Sequence, residues 1–185
     1  QLRELFLFRQ MLVRQKHGFQ VRRGEKNRAM EKSSVKTAIS QIGRHMVNEC
    51  NKQIEKVERR IKDIIDGDEE LKRTYELITT IPGIGTQNAV CLLTFTNNFT
   101  RFGYNARKIA CYYGIAPFGR DSGTSVHSDP HVHYMANRML KSMLTQAALA
   151  SIRCRAPIAH YYHRLIAKKK KKQVALNNVK NKLIH

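Results

Sequence analysis

Leu77-Ile78-Thr79-Thr80-Ile81-Pro82-Gly83-Ile84-Gly85-Thr86-Gln87-Asn88-Ala89-Val90-Cys91-Leu92 places a Pro-Gly-Ile-Gly break between two apolar runs. Upstream, Leu71, Tyr75 and Ile78 recur at helical spacing; downstream, Ala89 to Leu93 continue as a second helix. The glycines permit a tight backbone turn and a close approach to another chain. The pattern predicts a helix-hairpin-helix, with Ile84 plugging the turn into the core. The second helix begins just after Gly85, so its free N–H groups can face a phosphate. Such contacts hold DNA without reading its sequence. Gly83, Ile84, Gly85 and Thr86 are therefore candidate DNA-binding residues. The alternative is a purely structural turn between two helices.

Composition favours the first reading. Lys and Arg total 34 against 14 acidic residues, a formal charge of +20. Such an excess repels itself in a compact fold and attracts polyanions, nucleic acid foremost. A membrane surface or ribosomal RNA would attract the same charge. Hydrophobic residues supply 42% of the chain, enough for a packed core, which argues against general disorder. The four cysteines, Cys50, Cys91, Cys111 and Cys154, form no C-x-x-C pair and lie far apart. Reduced, mostly buried thiols in a cytoplasmic protein fit better than a zinc site or a disulfide framework. No apolar stretch approaches the ~18–20 residues of a membrane span. The apolar segment from Leu2 to Val13 is interrupted by Arg3, Glu4, Arg9 and Gln10, unlike a signal-peptide core. No membrane partner is expected. The chain opens on Gln1 rather than Met, and residues upstream of it are expected.

Upstream of the hairpin, Val35, Ile39, Ile42, Met46, Cys50, Ile54, Val57, Ile61 and Ile64 are spaced by threes and fours. That is a heptad seam with one stutter between Met46 and Ile54. A narrow seam hides little surface alone, so a homodimer through a coiled coil is expected, possibly extending to a tetramer. The alternative is a long helix of a monomeric bundle. Gly67 is expected to end this helix in a left-handed cap. Leu2, Leu5, Phe6, Phe8, Met11 and Leu12 predict an earlier helix, with a break in the basic stretch containing Gly18 and Gly24.

Downstream, Asn105 can cap a helix ended by Gly114. Ile115 to His133, rich in Gly, Ser, Asp and Pro, reads as a loop. A long helix from about Tyr134 to Arg153 follows, then one opened by Pro157, then a last helix carrying Val174, Leu176, Val179 and Leu183. Arg107, Lys108, Arg138 and Lys141 could extend a phosphate-binding face, as could Arg101 and the basic run Lys168 to Lys172. Singly, each is as readily a solvated charge. The expected fold is mainly α: a long coiled-coil helix followed by a small helical domain containing the hairpin. The expected parts are 1–24, a terminal helix; 25–67, a coiled-coil connector; and 68–185, the hairpin domain.

Two features of the central loop invite chemistry. Asp121-Ser122-Gly123 lies beside Arg120 and Thr124, yet no G-x-S-x-G elbow surrounds it, so a hydrolase reading is weak. His127, His131 and His133 crowd the same loop, but their spacing matches neither a zinc-protease helix nor a Cys/His finger. No metal site is expected here, and surface or phosphate-adjacent histidines are the preferred reading.

Taken in order, Thr80-Ile-Pro-Gly-Ile-Gly, Ala89, Phe102, Ala106-Arg-Lys-Ile-Ala110, Tyr113-Gly-Ile-Ala-Pro117, Ser122-Gly123 and Asn137-Arg-x-Leu-Lys141 resemble the C-terminal domain of DEDD-type insertion-sequence transposases, relatives of Piv-type DNA invertases. The segment from Lys169 to Leu183 is similar to that family's end, and Val13-Arg14-x-x-x-His17 through the coiled coil to its connector. The resemblance implies a RuvC-like domain with four metal-binding carboxylates and Mg²⁺. That domain is expected to be absent here, apart from its last helix near residues 1–17. It also implies a catalytic serine, which falls on Ser122, and a structured guide RNA. One departure is Tyr134-Met135-Ala136, where the family carries a basic residue and a glycine before the asparagine. Serine attack on a phosphodiester would form a phosphoserine ester and conserve the bond for religation, with Arg120 or Arg138 stabilising the phosphate charge. The composite reading is a DNA-binding, strand-exchange fragment inactive alone. The alternatives are a non-catalytic helix-hairpin-helix module and a basic RNA-associated protein.

Overall fold

The computed structural model describes residues 1–28, 34–116, 118–122, 126–131, 136–154 and 157–185; at residues 23–28, 34, 36, 118–122 and 126–131 it describes the backbone. The fold is mainly α and divides into two compact units, Gln1–Lys72 and Arg73–His185.

The first unit is a pair of long helices, α1 (Leu2–Arg28) and α2 (Ser34–Asp66). Arg9 bonds Glu58 at 2.7 Å and Lys16 bonds Asn51 at 3.1 Å. As one number rises the other falls, so the helices run antiparallel. Phe6 and Leu12 of α1 are buried, as are Val47, Cys50, Ile54, Val57, Ile61 and Ile65 of α2. The C-terminal half of the heptad seam is thus covered within the chain. Its N-terminal half is not: Val35, Ile39, Ile42 and Met46 are exposed.

Two local expectations are corrected. α1 runs unbroken through Gly18 and Gly24. A helical glycine costs about 1 kcal/mol against alanine, a penalty that packing along a partner helix outweighs. Gly67 is not left-handed. Its amide donates to the Asp63 carbonyl at 3.0 Å, and Asp68 caps the next helix by accepting from the Leu71 amide at 3.0 Å.

The second unit collects the short elements. α3 (Glu69–Thr79) leads through the Pro82-Gly83 turn to α4 (Thr86–Thr96). α4 is apolar nearly all round and is the unit's central helix: Ala89 to Leu93, Phe95 and Thr96 are buried. A short 3-10 turn, Thr100–Phe102, precedes α5 (Ala106–Tyr112), whose N-cap Asn105 accepts from the Lys108 amide at 3.1 Å. Gly114, at φ +65°, ends it. α6 (Arg138–Arg153), α7 (Pro157–Ala167) and α8 (Lys172–Ile184) complete the bundle, burying Leu140, Leu144, Ala147 and Ala148 of α6 and Ala175, Val179 and Leu183 of α8.

The segment read as a loop from Ile115 to His133 contains a β-hairpin, β1 (Phe118–Ser122) and β2 (Val126–His131). The strands pair antiparallel with Arg120 opposite Ser128, Asp121 opposite His127 and Ser122 opposite Val126, and with a register irregularity between Phe118 and Arg120. Ladder hydrogen bonds between backbones need no alternating apolar pattern, which this sequence lacks.

Candidate nucleic-acid interface

The hairpin turn is built on two different glycines. Gly83 adopts φ +91°, a left-handed conformation that favours glycine, and a Cβ there would collide with Ser151 of α6. The Ser151 hydroxyl donates to the carbonyls of Pro82 at 2.6 Å and Ala147 at 2.8 Å. The close approach that Gly83 permits is therefore made to α6 of this chain. Ile84 is buried, so what it offers a ligand is backbone.

Gly85 is the N-cap of α4, exposed, at φ −87°, with open space where a Cβ would stand. Thr86 beside it is exposed too. No side chain caps the helix. An uncapped helix start carries roughly half a positive charge on outward-pointing amides.

The cations occupy a second region. Arg107, near the start of α5, and Lys141, on the first turn of α6, line one cavity of about 930 Å³ together with Thr145 and the Asn177, Lys180 and Asn181 face of α8. Lys108 and Arg138 are exposed and stand outside this lining. Lys141 lies ten residues before Ser151 on α6, hence about 15 Å along the axis from the hairpin contact. The structure thus separates the hairpin tip from the cationic cavity. Arg101 stacks its guanidinium over Tyr112 at 5.0 Å and Phe102 at 5.5 Å.

Ser122 is the last residue of β1, at the tip of the hairpin, and Arg120 lies two residues before it on the same strand. His127 and His131 lie on β2; their side chains and those of Arg120 and Ser122, together with all of His133, lie outside the described residues. Among the described residues no three His, Cys, Asp or Glu side chains form a metal-binding group, and no helix is long and apolar enough to cross a membrane.

Charge is concentrated in this second unit. Residues 73–185 hold 17 Lys and Arg against the acids Glu76, Asp121 and Asp129. Lys180, the buried charged residue among the cavity's described lining, was not foreseen. Its signal is positional: Leu176, Lys180 and Leu183 share a helical face, so a lysine stands where the apolar pattern points inward.

Residues 75–163 match a family model described as Transposase IS116/IS110/IS902 family. The chain is 34% identical over 100 residues to the uncharacterized 43.6 kDa protein of insertion element IS110 from Streptomyces coelicolor, covering 54% of this chain and 24% of that one. It is 30% identical over 96 residues to the pilin gene-inverting proteins of Moraxella bovis and Moraxella lacunata, covering 52% of this chain and 30% of each. The matched stretch spans a quarter to a third of the length of these relatives.

Proposed function

We propose that this chain is part of a transposase of the family whose model matches residues 75–163, that it grips DNA through its second unit, and that it presents Ser122 for strand exchange. The observation that carries the reading is the exposed, uncapped start of α4 at Gly85 and Thr86, set in a unit with very few acidic residues. Such a surface attracts phosphates of any sequence. Arg107, Lys108, Arg138 and Lys141 add charge elsewhere in the same unit, and Arg120 stands two residues before the serine on β1.

In this reading the Ser122 hydroxyl attacks a phosphorus atom. A phosphoserine ester forms as the bond to a sugar oxygen breaks; the serine loses its proton and the sugar oxygen gains one. A sugar hydroxyl from a second strand then reverses the step, and no ATP is needed. Serine needs activation for this. Mg²⁺ on a RuvC-like domain outside residues 1–185 would supply it. No described residue of this chain is assigned as a ligand to that metal. A structured guide RNA and a homodimer through the exposed half of the α2 seam belong to the same proposal.

The test is Ser122→Ala in a protein that also carries the RuvC-like domain. Strand exchange is lost while DNA affinity is kept; recombination at the parent rate by the variant refutes the nucleophile. Should Ser122→Ala also lose DNA binding, the residue grips rather than reacts.

A further inference from the structure

The cavity between α5, α6 and α8 contains a buried lysine that meets no acid among the described residues. Lys180 is 6% exposed, and among the described residues its ammonium bonds the neutral Thr145 hydroxyl at 3.4 Å. That hydroxyl is oriented: it donates to the Lys141 carbonyl at 2.7 Å, so its lone pairs are left to face Lys180. The neighbouring cations are Lys141 and Arg107, His185 also lines the cavity, and among the described residues no Asp or Glu does. Asn177 ties α8 to the end of α5 by donating to the Ile115 carbonyl at 2.9 Å, which fixes the cavity's wall. Asn181, one helical turn on, adds an amide to the lining.

A buried ammonium without an anion is costly, and lysine is almost never buried unless paired. Burial, and secondarily the charge of Lys141, push the Lys180 ammonium below the usual lysine range. Three cations and neutral amide donors converging on one open cavity are complementary to a tetrahedral oxyanion.

We propose that this cavity is a phosphate seat, with Lys180 at its base and Arg107 and Lys141 at its sides. The source of the phosphate, a nucleic-acid backbone in this second unit, rests on the function proposed above; the seat itself does not.

The experiment compares the full 185-residue chain with Lys180→Met, which keeps an unbranched side chain one heavy atom shorter and removes the charge. Lys182→Met removes the same charge from an exposed position of the same helix and is the control. Melting temperatures are read in inorganic phosphate and in chloride at equal ionic strength, and affinity for a short DNA duplex is read by anisotropy. The parent and Lys182→Met gain about 2–4 °C in phosphate, and Lys180→Met gains nothing while melting no lower in chloride. Lys141→Gln, at a half-exposed position, loses most of the same gain and serves if Lys180→Met does not fold. If Lys180→Met also weakens DNA binding several-fold more than Lys182→Met, the phosphate is the backbone's. If DNA affinities match, the seat takes a free phosphate. A parent chain that binds DNA but shows no phosphate gain, or equal gains in Lys180→Met and Lys182→Met, overturns the seat and leaves the DNA reading standing.

Discussion

Ser151 on α6 gives its hydroxyl to the Pro82 carbonyl at 2.6 Å, and its Cα lies 2.7 Å from where a Cβ on Gly83 would stand. The hairpin turn is thereby fastened to the longest helix of its unit. Gly83→Ala meets both backbone strain at φ +91° and a collision with backbone that cannot swing away. It should cost about 3 kcal/mol or more. Gly85→Ala, with open space and ordinary φ, should stay within about 0.5 kcal/mol. Urea midpoints of the two variants separate them; equal midpoints would show that the turn is not held as described.

Gly85 lets stability and binding be moved in opposite directions. Gly85→Asp supplies a side-chain cap and a negative charge at the start of α4, where both favour the helix, by a few tenths of a kcal/mol or more. The same charge repels a phosphate. The expected result is a melting temperature equal to or above the parent's with DNA affinity down about tenfold. If affinity is unchanged, the hairpin tip is a structural turn and DNA is held elsewhere.

The elements written in local chemistry were legible. Pro82 marks the break before α4, Asn105 caps α5, and Pro157 opens α7. Asn137 stops the backward run of α6: its side chain accepts from Met139 and Leu140 at 3.0 and 3.3 Å, so the helix starts at Arg138 and not near residue 134. What the sequence hid depends on partners distant in the chain. Gly18 and Gly24 look like breakers, yet α1 runs through both, held along α2 by pairs such as Arg9–Glu58. Phe118–Ser122 and Val126–His131 carry Gly, Asp and Pro, residues that signal loops, and become strands only by pairing with each other. Lys180 reads as a surface charge until the cavity closes round it. Gly83 and Gly85 look interchangeable as letters, yet one is pressed against Ser151 and the other faces open space. Ser122 could be singled out by resemblance alone, since Asp-Ser-Gly is an ordinary turn sequence.

The uncovered half of the α2 seam yields a third prediction, resting on the proposed dimer. Ile42 is 63% exposed, so Ile42→Asp should leave the α1–α2 pair folded, with a helical signal within error of the parent. If a second copy covers Val35, Ile39, Ile42 and Met46, the charge should halve the mass seen by light scattering. A parent chain that is monomeric at the same concentration removes the seam from the assembly and leaves the monomeric hairpin of helices.

The last prediction concerns alkaline pH and sets two buried acids, Cys91 and Tyr113, against the buried Lys180. Burial pushes the Cys91 thiol up to about 12, against a smaller lowering by the neighbouring Tyr113 hydroxyl. Burial, then the neighbouring Cys91, push the Tyr113 phenol well above its usual range. Both groups keep their protons in the fold beyond the pH at which the unfolded chain releases them. The unfolded state then binds fewer protons, so their contribution is full below pH 9 and falls as pH rises from about 9 towards 12. Lys180 has the opposite sign. Its folded value is depressed, the unfolded state binds more protons, and stability rises as pH climbs towards 10.5. Working in the Lys180→Met background removes that rise. There, urea midpoints of the Cys91→Ala, Tyr113→Phe pair of substitutions should decline less between pH 8.5 and 10.5 than those of the unsubstituted background, because the groups that titrate late are gone. Parallel declines would mean that neither the thiol nor the phenol is shielded from water as their burial requires.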